Sequence, residues 1–378
     1  NAETGFLQAM YCFSFRKVMQ RQRCTAVSLR HGQVARKPTA PAKPTKITVV
    51  NMQHESAARL ARQGRAYSED EPLEYDIQSY DIDAEFLPER GTMGGTAEVR
   101  LRIARNGVSS LNFRLADSLA VRGVYSPAFG RLLHLRVVGQ NSVIVNLPAV
   151  LARGAELTLR MVYAGRIAPQ VFDREAIQVG QDMREEIFIP IEQRWLFSNR
   201  SYWYPQSTVT DYATSNVRIT IPSEFDVVAT GDPVPADASA SVSQEGGRRR
   251  AFRFRAGLPT RYLALVISRL DEVAAARVAA GGGSVSLMLK SSPRQAGRLR
   301  ELGRSTSDIL QFYASLVGGA PYPSFTLAAI ESDRPGGHSP PYFALLNQVV
   351  IGAPFVWRND PVSFDDYPAF FLAHVVAH

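Results

Sequence analysis

Cysteine is scarce in this sequence, and long apolar runs are missing. The 378 residues include 2 cysteines, Cys12 and Cys24, which excludes a disulfide framework and thiol chemistry from the rest of the chain. No apolar run approaches the roughly 18 residues of a membrane-spanning helix, so no membrane span is expected. Hydrophobic residues make up 45% of the chain and charged residues 21%, which is typical of a globular protein. The length indicates two or three domains.

Acidic residues are also rare in the first part of the chain. Residues 1–65 contain 12 Lys and Arg but only Glu3 and Glu55, whereas the whole chain has a net charge of +8. Residues 34–47 are rich in Pro, Lys and Ala. We interpret residues 1–73 as a basic, Pro-containing tail or linker rather than a nucleic-acid-binding surface, and we expect no nucleic-acid partner.

The start of the chain has no recognisable signal peptide. The first residue is Asn1, and the short apolar stretch at residues 6–13 precedes its basic residues instead of following them, which is the wrong order. We expect both ends to be truncations of a longer chain. The sequence therefore does not indicate a cellular compartment, and export is compatible with it if a signal precedes Asn1.

A period-two alternation of apolar and polar residues begins after Glu74. It is clear at residues 96–103 and recurs at residues 111–115, 143–147 and 157–163. Such alternation is typical of strands with one face on a core and the other in water, and turn signals separate the runs. We therefore predict an N-terminal antiparallel all-β domain over residues 74–282.

The pattern changes after the three glycines at residues 281–283. Ser292 and Gln295 flank Pro293 and Arg294 in an arrangement that predicts a capping box at the start of a helix. Apolar residues then recur at the three- and four-residue spacing of an amphipathic helix. The predicted elements of residues 283–378 are helices over residues 292–317 and from Asp366 to His378, and strands over residues 285–289, 325–330 and 343–351.

Two histidines, His374 and His378, lie four residues apart on the last predicted helix. This spacing places both imidazoles on one face of the helix, where they can bind one zinc ion. Val375 occupies the position at which such a motif normally carries a glutamate as general base. For an isolated match, the alternative is a pair of histidines on a partly buried helix without a metal.

Several segments in a common order resemble the aminopeptidase N family of zinc peptidases, over roughly residues 75–378. Residues 373–378, AHVVAH, resemble the family's Ala-His-Glu-x-Ala-His stretch. Residues 321–323, PYP, resemble the segment that leads into its active-site edge strand. Residues 203–206, WYPQ, and the strands after them resemble its N-terminal β domain.

The resemblance implies a multidomain chain in which the all-β domain is followed by a thermolysin-like α/β (α+β) catalytic domain. Residues 283–378 are then the truncated first part of that domain. It further implies a zinc cofactor held by His374 and His378, a peptide or protein substrate, and hydrolysis by metal-activated water. The family's third zinc ligand, a glutamate, and its transition-state tyrosine are expected beyond His378.

Two departures from the family pattern bear on activity. Val375 can neither accept a proton nor hydrogen-bond a water. Gly336, Gly337 and His338, followed by Ser339-Pro340, stand where the family has Gly-x-Met-Glu-Asn, whose glutamate holds the α-amino group of the substrate.

The residues around this altered segment have competing interpretations. Glu331 and Asp333 lie nearby and are interpreted as solvated loop charges. His338 either lines the substrate cleft or is a loop histidine, and the second reading is favoured. The aromatic residues Tyr202, Trp203 and Tyr204 are predicted to pack in a core or at a domain interface.

Three hypotheses follow for function. The first is a zinc metallopeptidase of the aminopeptidase N type, with peptide backbone bound by the edge strand near residues 336–345 and by Gly336, Gly337 and His338. The second is a non-catalytic relative that keeps the fold as a binding or scaffold module, which the loss of both glutamates favours. The third is a β-rich binding protein with a coincidental pair of histidines. The sequence gives no indication of oligomeric state.

Overall fold

The computed structural model describes residues 74–171, 192–207, 211–235, 241–244, 247–331, 337–347 and 367–378. The tail predicted at residues 1–73 lies outside them. Within the described part, neither helix combines the length and apolarity needed to cross a membrane. The helices are α1 (Ala296–Val317) and α2 (Tyr367–Ala377). In chain order the strands are β1 (Tyr75–Leu87), β2 (Thr92–Ile103), β3 (Val108–Arg114), β4 (Leu119–Ser126), β5 (Gly130–Leu132), β6 (His134–Val137), β7 (Ser142–Leu151), β8 (Glu156–Arg166), β9 (Arg194–Phe197), β10 (Gln206–Ser207), β11 (Ala213–Pro222), β12 (Asp226–Ala229), β13 (Asp232–Val234), β14 (Ser241–Gln244), β15 (Gly247–Thr260), β16 (Leu265–Ser268), β17 (Asp271–Ala280), β18 (Gly283–Ser291), β19 (Ser324–Ile330), β20 (Gly337–His338) and β21 (Phe343–Asn347).

A β-sandwich accounts for most of the described residues between positions 74 and 260. Its larger sheet has the order β13-β15-β11-β1-β2-β8-β4-β5, with β14 paired to β15, and its smaller sheet has the order β10-β3-β7-β6. All pairs are antiparallel except β1 with β11. The inward residues of both sheets, such as Ile82, Val99 and Phe113, form one buried cluster. The predicted antiparallel all-β domain is confirmed, and the alternation seen in the sequence is the alternation between this core and water.

Two of the three aromatic residues predicted to pack inside, Trp203 and Tyr204, do so in this sandwich, whereas Tyr202 is half-buried. Trp203 and Tyr204 are almost completely buried. The indole Nε1 of Trp203 donates a hydrogen bond to the carbonyl oxygen of Leu263 at 3.3 Å. The hydroxyl of Tyr204 accepts one from the Leu263 amide at 3.0 Å. Both polar groups of these large side chains are therefore satisfied where they are buried.

A three-stranded sheet, with the order β12-β16-β9, lies between the sandwich and the second half of the chain. Val227 and Ile267 pack into the core of the sandwich. Their neighbours Val228 and Val266 pack instead with Ile330 and other residues of the following sheet. Strands buried on both faces read as continuous apolar runs, which is the pattern of β12 and β16.

The last sheet has five strands in the order β17-β18-β19-β21-β20. Its central pairs, β18 with β19 and β19 with β21, are parallel, and the outer pairs are antiparallel. One face packs on the three-stranded sheet. The other face is covered by α1 and α2, which contribute Leu299, Phe371 and Leu372 to a common cluster. The predicted mixture of a small sheet with two helices is confirmed at the level of the fold.

The glycines at residues 281–283 form a hairpin turn. Strand β17 precedes the turn and pairs with β18 from Asp271 opposite Ser291 to Ala280 opposite Gly283. The residues 271–280, expected in the first domain, are therefore the outermost strand of the five-stranded sheet. Gly281 and Gly282 have φ angles of 52° and 89°, which favour glycine and suit a tight turn.

The helix predicted over residues 292–317 is observed as a 3-10 turn at Pro293–Gln295 followed by α1, and the capping box does not form. The side chain of Ser292 makes no capping hydrogen bond to the start of the helix. Its hydroxyl donates to a carboxylate oxygen of Glu331 at 2.9 Å instead. A hydrogen bond to a charged group is stronger than one to a neutral amide. Ser292 therefore binds the Glu331 carboxylate instead of the backbone amides at the start of the helix. The helix ends at Gly318, which has a left-handed φ of 88°.

Candidate metal centre and peptide-binding edge

Helix α2 carries both candidate zinc ligands. The rings of His374 and His378 have their centroids 4.7 Å apart and lie nearly perpendicular, at 87°. His374 is half-buried, whereas His378 is exposed and follows the last helical residue, Ala377. The four-residue spacing thus brings the two imidazoles together on one side of the helix, as the sequence predicts.

The adjoining side of α2 is anchored in the core of the last sheet, and the ring of Phe371 contacts that of His374 with centroids 6.1 Å apart. Phe371, Leu372 and Val375 pack with Leu327 of β19 and Leu346 of β21. The hydroxyl of Tyr313 on α1 also donates a hydrogen bond to the carbonyl oxygen of Ala373, at 3.1 Å. Burial raises the pKa of Tyr313 to about 12, so the phenol stays protonated and donates throughout the neutral range.

Val375 belongs to this anchored side. Its side chain is only 3% exposed and lies in the same apolar cluster as Phe371 and Leu372. These are the residues three and four positions before it, which share its face of the helix. The valine is therefore a core residue, and the motif position that normally carries the general base contributes packing in this chain.

The segment that replaces the exopeptidase signature is joined to α2. Strand β20 pairs with β21, with Gly337 opposite Leu346 and His338 opposite Leu345. A Cβ at Gly337 would lie 2.6 Å from the carbonyl oxygen of Leu345 and 3.2 Å from the ring of Phe371. Only glycine permits this approach of strand, neighbouring strand and helix.

A hydrogen bond reinforces that approach. The hydroxyl of Ser339 donates to the carbonyl oxygen of Val375. The structure therefore brings Gly337 and the histidine helix together at the end of the five-stranded sheet. His338 is half-buried in the same strand, which is more protected than the loop position favoured from the sequence. Gly336 lies outside the described residues.

Glu331 is a buried structural charge, and its interpretation as a solvated loop charge is wrong. It is 1% exposed and directly follows β19. Its carboxylate accepts hydrogen bonds from the guanidinium of Arg294 at 2.6 Å, from Ser292, and from the amide of Glu192 at 3.2 Å. A buried carboxylate needs such partners. The sequence carries no local signal for this arrangement, because the partners of Glu331 lie 37, 39 and 139 residues away along the chain. Asp333 lies outside the described residues.

The donor atoms of α2 are of the type that zinc binds, but the described residues supply an incomplete set. Neutral imidazole is the commonest protein ligand of metals, and a catalytic zinc site typically has three protein ligands and a water. No group of three or more His, Cys, Asp and Glu suited to a metal occurs in the described part of the chain. His374 and His378 therefore fit as two of three ligands.

Comparisons with known proteins identify the fold. No family model matches the sequence, and no curated protein matches it. A two-domain M1 zinc metallopeptidase, a glutamate-to-alanine mutant bound to L-tryptophan, is 19% identical and superposes with a TM-score of 0.56, covering 72% of this chain and 60% of its own. A similar mutant bound to L-arginine is 18% identical, with a TM-score of 0.55, covering 80% of this chain and 64% of its own.

An M1 zinc metallopeptidase from Deinococcus radiodurans is likewise 18% identical, with a TM-score of 0.53. This chain spans 60–64% of the length of these structures. At such low identity the similarity establishes the fold only, and any chemistry has to be argued from the residues of the site. The described chain has the two-domain fold of the M1 zinc metallopeptidases, with its histidine helix packed beside an outer strand of the second sheet.

Proposed function

We propose that the chain is a zinc-dependent metallopeptidase of the aminopeptidase N type, which hydrolyses peptide bonds with metal-activated water and is impaired at its motif. The observation that carries the proposal is the packing of the two-histidine helix α2 against the outer strand β20, within an M1 metallopeptidase fold. A histidine pair alone is a weak signal, but its position beside a strand edge supplies a place for a peptide.

The two histidines and strand β20 have separate roles in the proposed reaction. His374 and His378 would hold zinc, which when bound polarises a carbonyl and lowers the pKa of a water molecule to about 7. Among the described residues, β20 is an edge strand of its sheet, so its backbone can pair with an extended peptide by strand addition. Ser339 and Phe371 keep this strand against α2, which fixes the peptide relative to the histidines.

Catalysis is impaired because position 375 supplies no base. General acid–base catalysis contributes roughly 10²–10⁴-fold in rate, and the valine side chain has no atom that takes a proton. Slow hydrolysis that depends on the polarising metal alone is what the remaining residues support.

A second candidate function is a non-catalytic relative that binds peptides or acts as a scaffold. The burial of Val375 in the core favours it, because a side chain that stabilises the fold at this position serves structure and not chemistry. In this version, β20 still binds an extended peptide and the histidines have no catalytic consequence.

Zinc titration of the chain tests both functions. We expect weak uptake by the wild-type chain, since two protein ligands are present, and further loss with His374→Gln and His378→Gln. His134→Gln, on β6 of the sandwich, is the matched control and should bind zinc like the wild type. Equal uptake by all four proteins contradicts a zinc site on α2.

Peptide turnover at matched zinc occupancy then separates the two candidates. Slow turnover by the wild type that disappears with His374→Gln supports the peptidase. Zinc uptake with no turnover, together with binding of an extended peptide, supports the non-catalytic relative.

A further inference from the structure

A cavity of about 230 Å³ opens in the sandwich, apart from helix α2. Its lining residues all fall between positions 80 and 263. They come from β1, the end of β3, β10, the paired ends of β11 and β15, and the loops at residues 199–204, 211 and 261–263. The volume is below the roughly 300–1,000 Å³ of pockets that hold drug-sized ligands, so a ligand that fills it is small.

The floor of the cavity is aromatic. Tyr80 and Tyr204 are both buried, and their rings meet edge to face with centroids 5.3 Å apart. The hydroxyl of Tyr204 is already used by the Leu263 amide, which fixes the ring. The Tyr204 ring also packs against Trp203, with centroids 4.8 Å apart, so the floor is held rigid.

One wall carries a carboxylate, that of Asp211. Its Oδ2 atom accepts a hydrogen bond from the amide of Ile77 at 2.7 Å, and Oδ1 accepts one from the amide of Tyr212 at 2.9 Å. The side chain of Asp76 is a third hydrogen-bond partner. A carboxylate has about four acceptor positions, so Asp211 keeps capacity for one further donor. Burial, and less strongly the carboxylate of Asp76, raise the pKa of Asp211 to about 6; an ammonium group beside it would stabilise its ionised form.

Three arginines are also among the lining residues, Arg114, Arg200 and Arg261. Arg114 is half-buried and gives one donor to the carbonyl oxygen of Gln140 at 2.7 Å, while Arg200 and Arg261 are exposed. A guanidinium has five N–H donors and suits carboxylates in a two-point arrangement. The lining therefore carries three cations for one anion among these side chains.

We propose that this cavity binds a small zwitterion of net negative charge, an acidic amino acid such as L-glutamate. The ammonium group lies between Asp211 and the aromatic floor of Tyr80 and Tyr204, and the carboxylates meet Arg114, Arg200 and Arg261. The site is separate from the histidines of α2, so it holds whether or not the chain hydrolyses peptides.

Calorimetric titration of the whole chain with L-glutamate and with glutarate tests the assignment, because glutarate lacks only the ammonium group. We expect L-glutamate to bind about tenfold more tightly or better, as one charge-assisted hydrogen bond allows. Asp211→Asn keeps an oxygen for the Ile77 amide and should abolish this preference while leaving glutarate binding unchanged. Arg200→Gln with Arg261→Gln should weaken both ligands about tenfold or more.

Controls fix the location of the site. Glu98→Gln removes an exposed carboxylate from β2 and should leave both affinities unchanged, as should His374→Gln on α2. Three results overturn the proposal: no L-glutamate binding by the wild type at millimolar concentration, a preference over glutarate that survives Asp211→Asn, or binding that is lost with His374→Gln. The last result would assign the ligand to the histidine helix.

Discussion

At the scale of the residue, Val375 determines what the histidine motif can do. Its neighbours along the helix, His374 and Val376, are both less buried than it is, and its side chain lies in the apolar cluster under α2. A residue type that cannot take a proton thus also stabilises the helix that presents the histidines. Restoring a glutamate there affects stability and chemistry in opposite directions.

Val375→Glu should lower the free energy of unfolding by about 3 kcal/mol or more, because it places an ionisable group in an apolar core. In the fraction that is folded and zinc-loaded, it should raise peptide turnover by about 10²–10⁴-fold. Urea unfolding measures the first effect, and turnover at matched zinc occupancy measures the second.

The control is Ala377→Glu, which adds the same charge at an exposed position of the same helix. It should cost less than about 1 kcal/mol, the effect of an acid near a helix C-terminus. Equal stability of Val375→Glu and Ala377→Glu would show that the glutamate at position 375 escapes the core. Peptide turnover that is faster in the wild type than in Val375→Glu would show that another residue serves as base.

Asp211 makes stability depend on pH. Its folded pKa of about 6 lies above the ordinary 3.8, so the folded chain binds this proton more tightly than the unfolded chain. The resulting stabilisation is present in full below about pH 4 and is lost as pH rises through 6. Asp211→Asn should therefore gain stability relative to the wild type as pH increases from 4 to 7.

Urea unfolding at several pH values measures this difference. Asp83→Asn removes an exposed carboxylate from strand β1 and is the control for the loss of a charge. The prediction is contradicted if the difference in unfolding free energy between the wild type and Asp211→Asn stays constant from pH 4 to 7.

At the scale of the element, sequence patterns identified what depends on neighbours along the chain. The period-two runs mark β2, β7 and β8 because each has one face on the core, and the four-residue spacing of the histidines follows from the helix alone. The glycines at residues 281–283 were interpreted as the joint between two domains, whereas Gly281 and Gly282 form the turn of the hairpin of β17 with β18. Glycines do not reveal whether a chain turns back into the same sheet.

Contacts over long sequence distances were not visible in this way. The partner of Ser292 is Glu331, which lies 39 residues away, and no local pattern distinguishes that bond from a capping box. The cavity lining likewise combines strand ends separated by more than 100 residues. The candidate histidines were predictable, whereas the buried charge beside their sheet and the cavity were not.

The buried ion pair joins the start of α1 to the end of β19 and makes an asymmetric prediction. Glu331 is fully buried, but the side chain of Arg294 is 44% exposed. Arg294→Gln leaves a buried carboxylate with fewer partners and should cost about 3 kcal/mol. Glu331→Gln leaves a guanidinium that can turn to water, so it should cost less, about 1–2 kcal/mol.

Thermal and urea unfolding of both variants measure the asymmetry. Arg298→Gln, at an exposed position of α1, is the control for the loss of an arginine. A greater loss of stability in Glu331→Gln than in Arg294→Gln would show that the guanidinium, not the carboxylate, is the group that depends on the pair.

At the scale of the whole molecule, the three-stranded sheet couples the two halves of the described chain. One face of β12 belongs to the core of the sandwich and the other to the core shared with the five-stranded sheet. The ion pair of Lys290 on β18 with Asp226 on β12, at 2.6 Å, adds a polar link across the same junction. Neither half can lose its core without exposing a face of this sheet.

Two valines on one strand test this coupling. Val227 faces the sandwich and Val228 faces the five-stranded sheet, so Val227→Ala and Val228→Ala remove equal volume on opposite sides. Each should cost about 1–3 kcal/mol, and both should move the same single unfolding transition. Two separate transitions, each shifted by one variant only, would show that the halves unfold independently.

The double-sided burial of the three-stranded sheet also has a consequence for synthesis on the ribosome. Its last strand, β16, is complete at Ser268, but the apolar residues that cover its second face include Leu345. Roughly 80 residues separate these points, which takes about 4–16 s at translation rates of ~5–20 residues per second. During that interval the nascent chain presents an uncovered apolar sheet, and a chaperone that binds such surfaces has its natural target in residues 226–229 and 265–268.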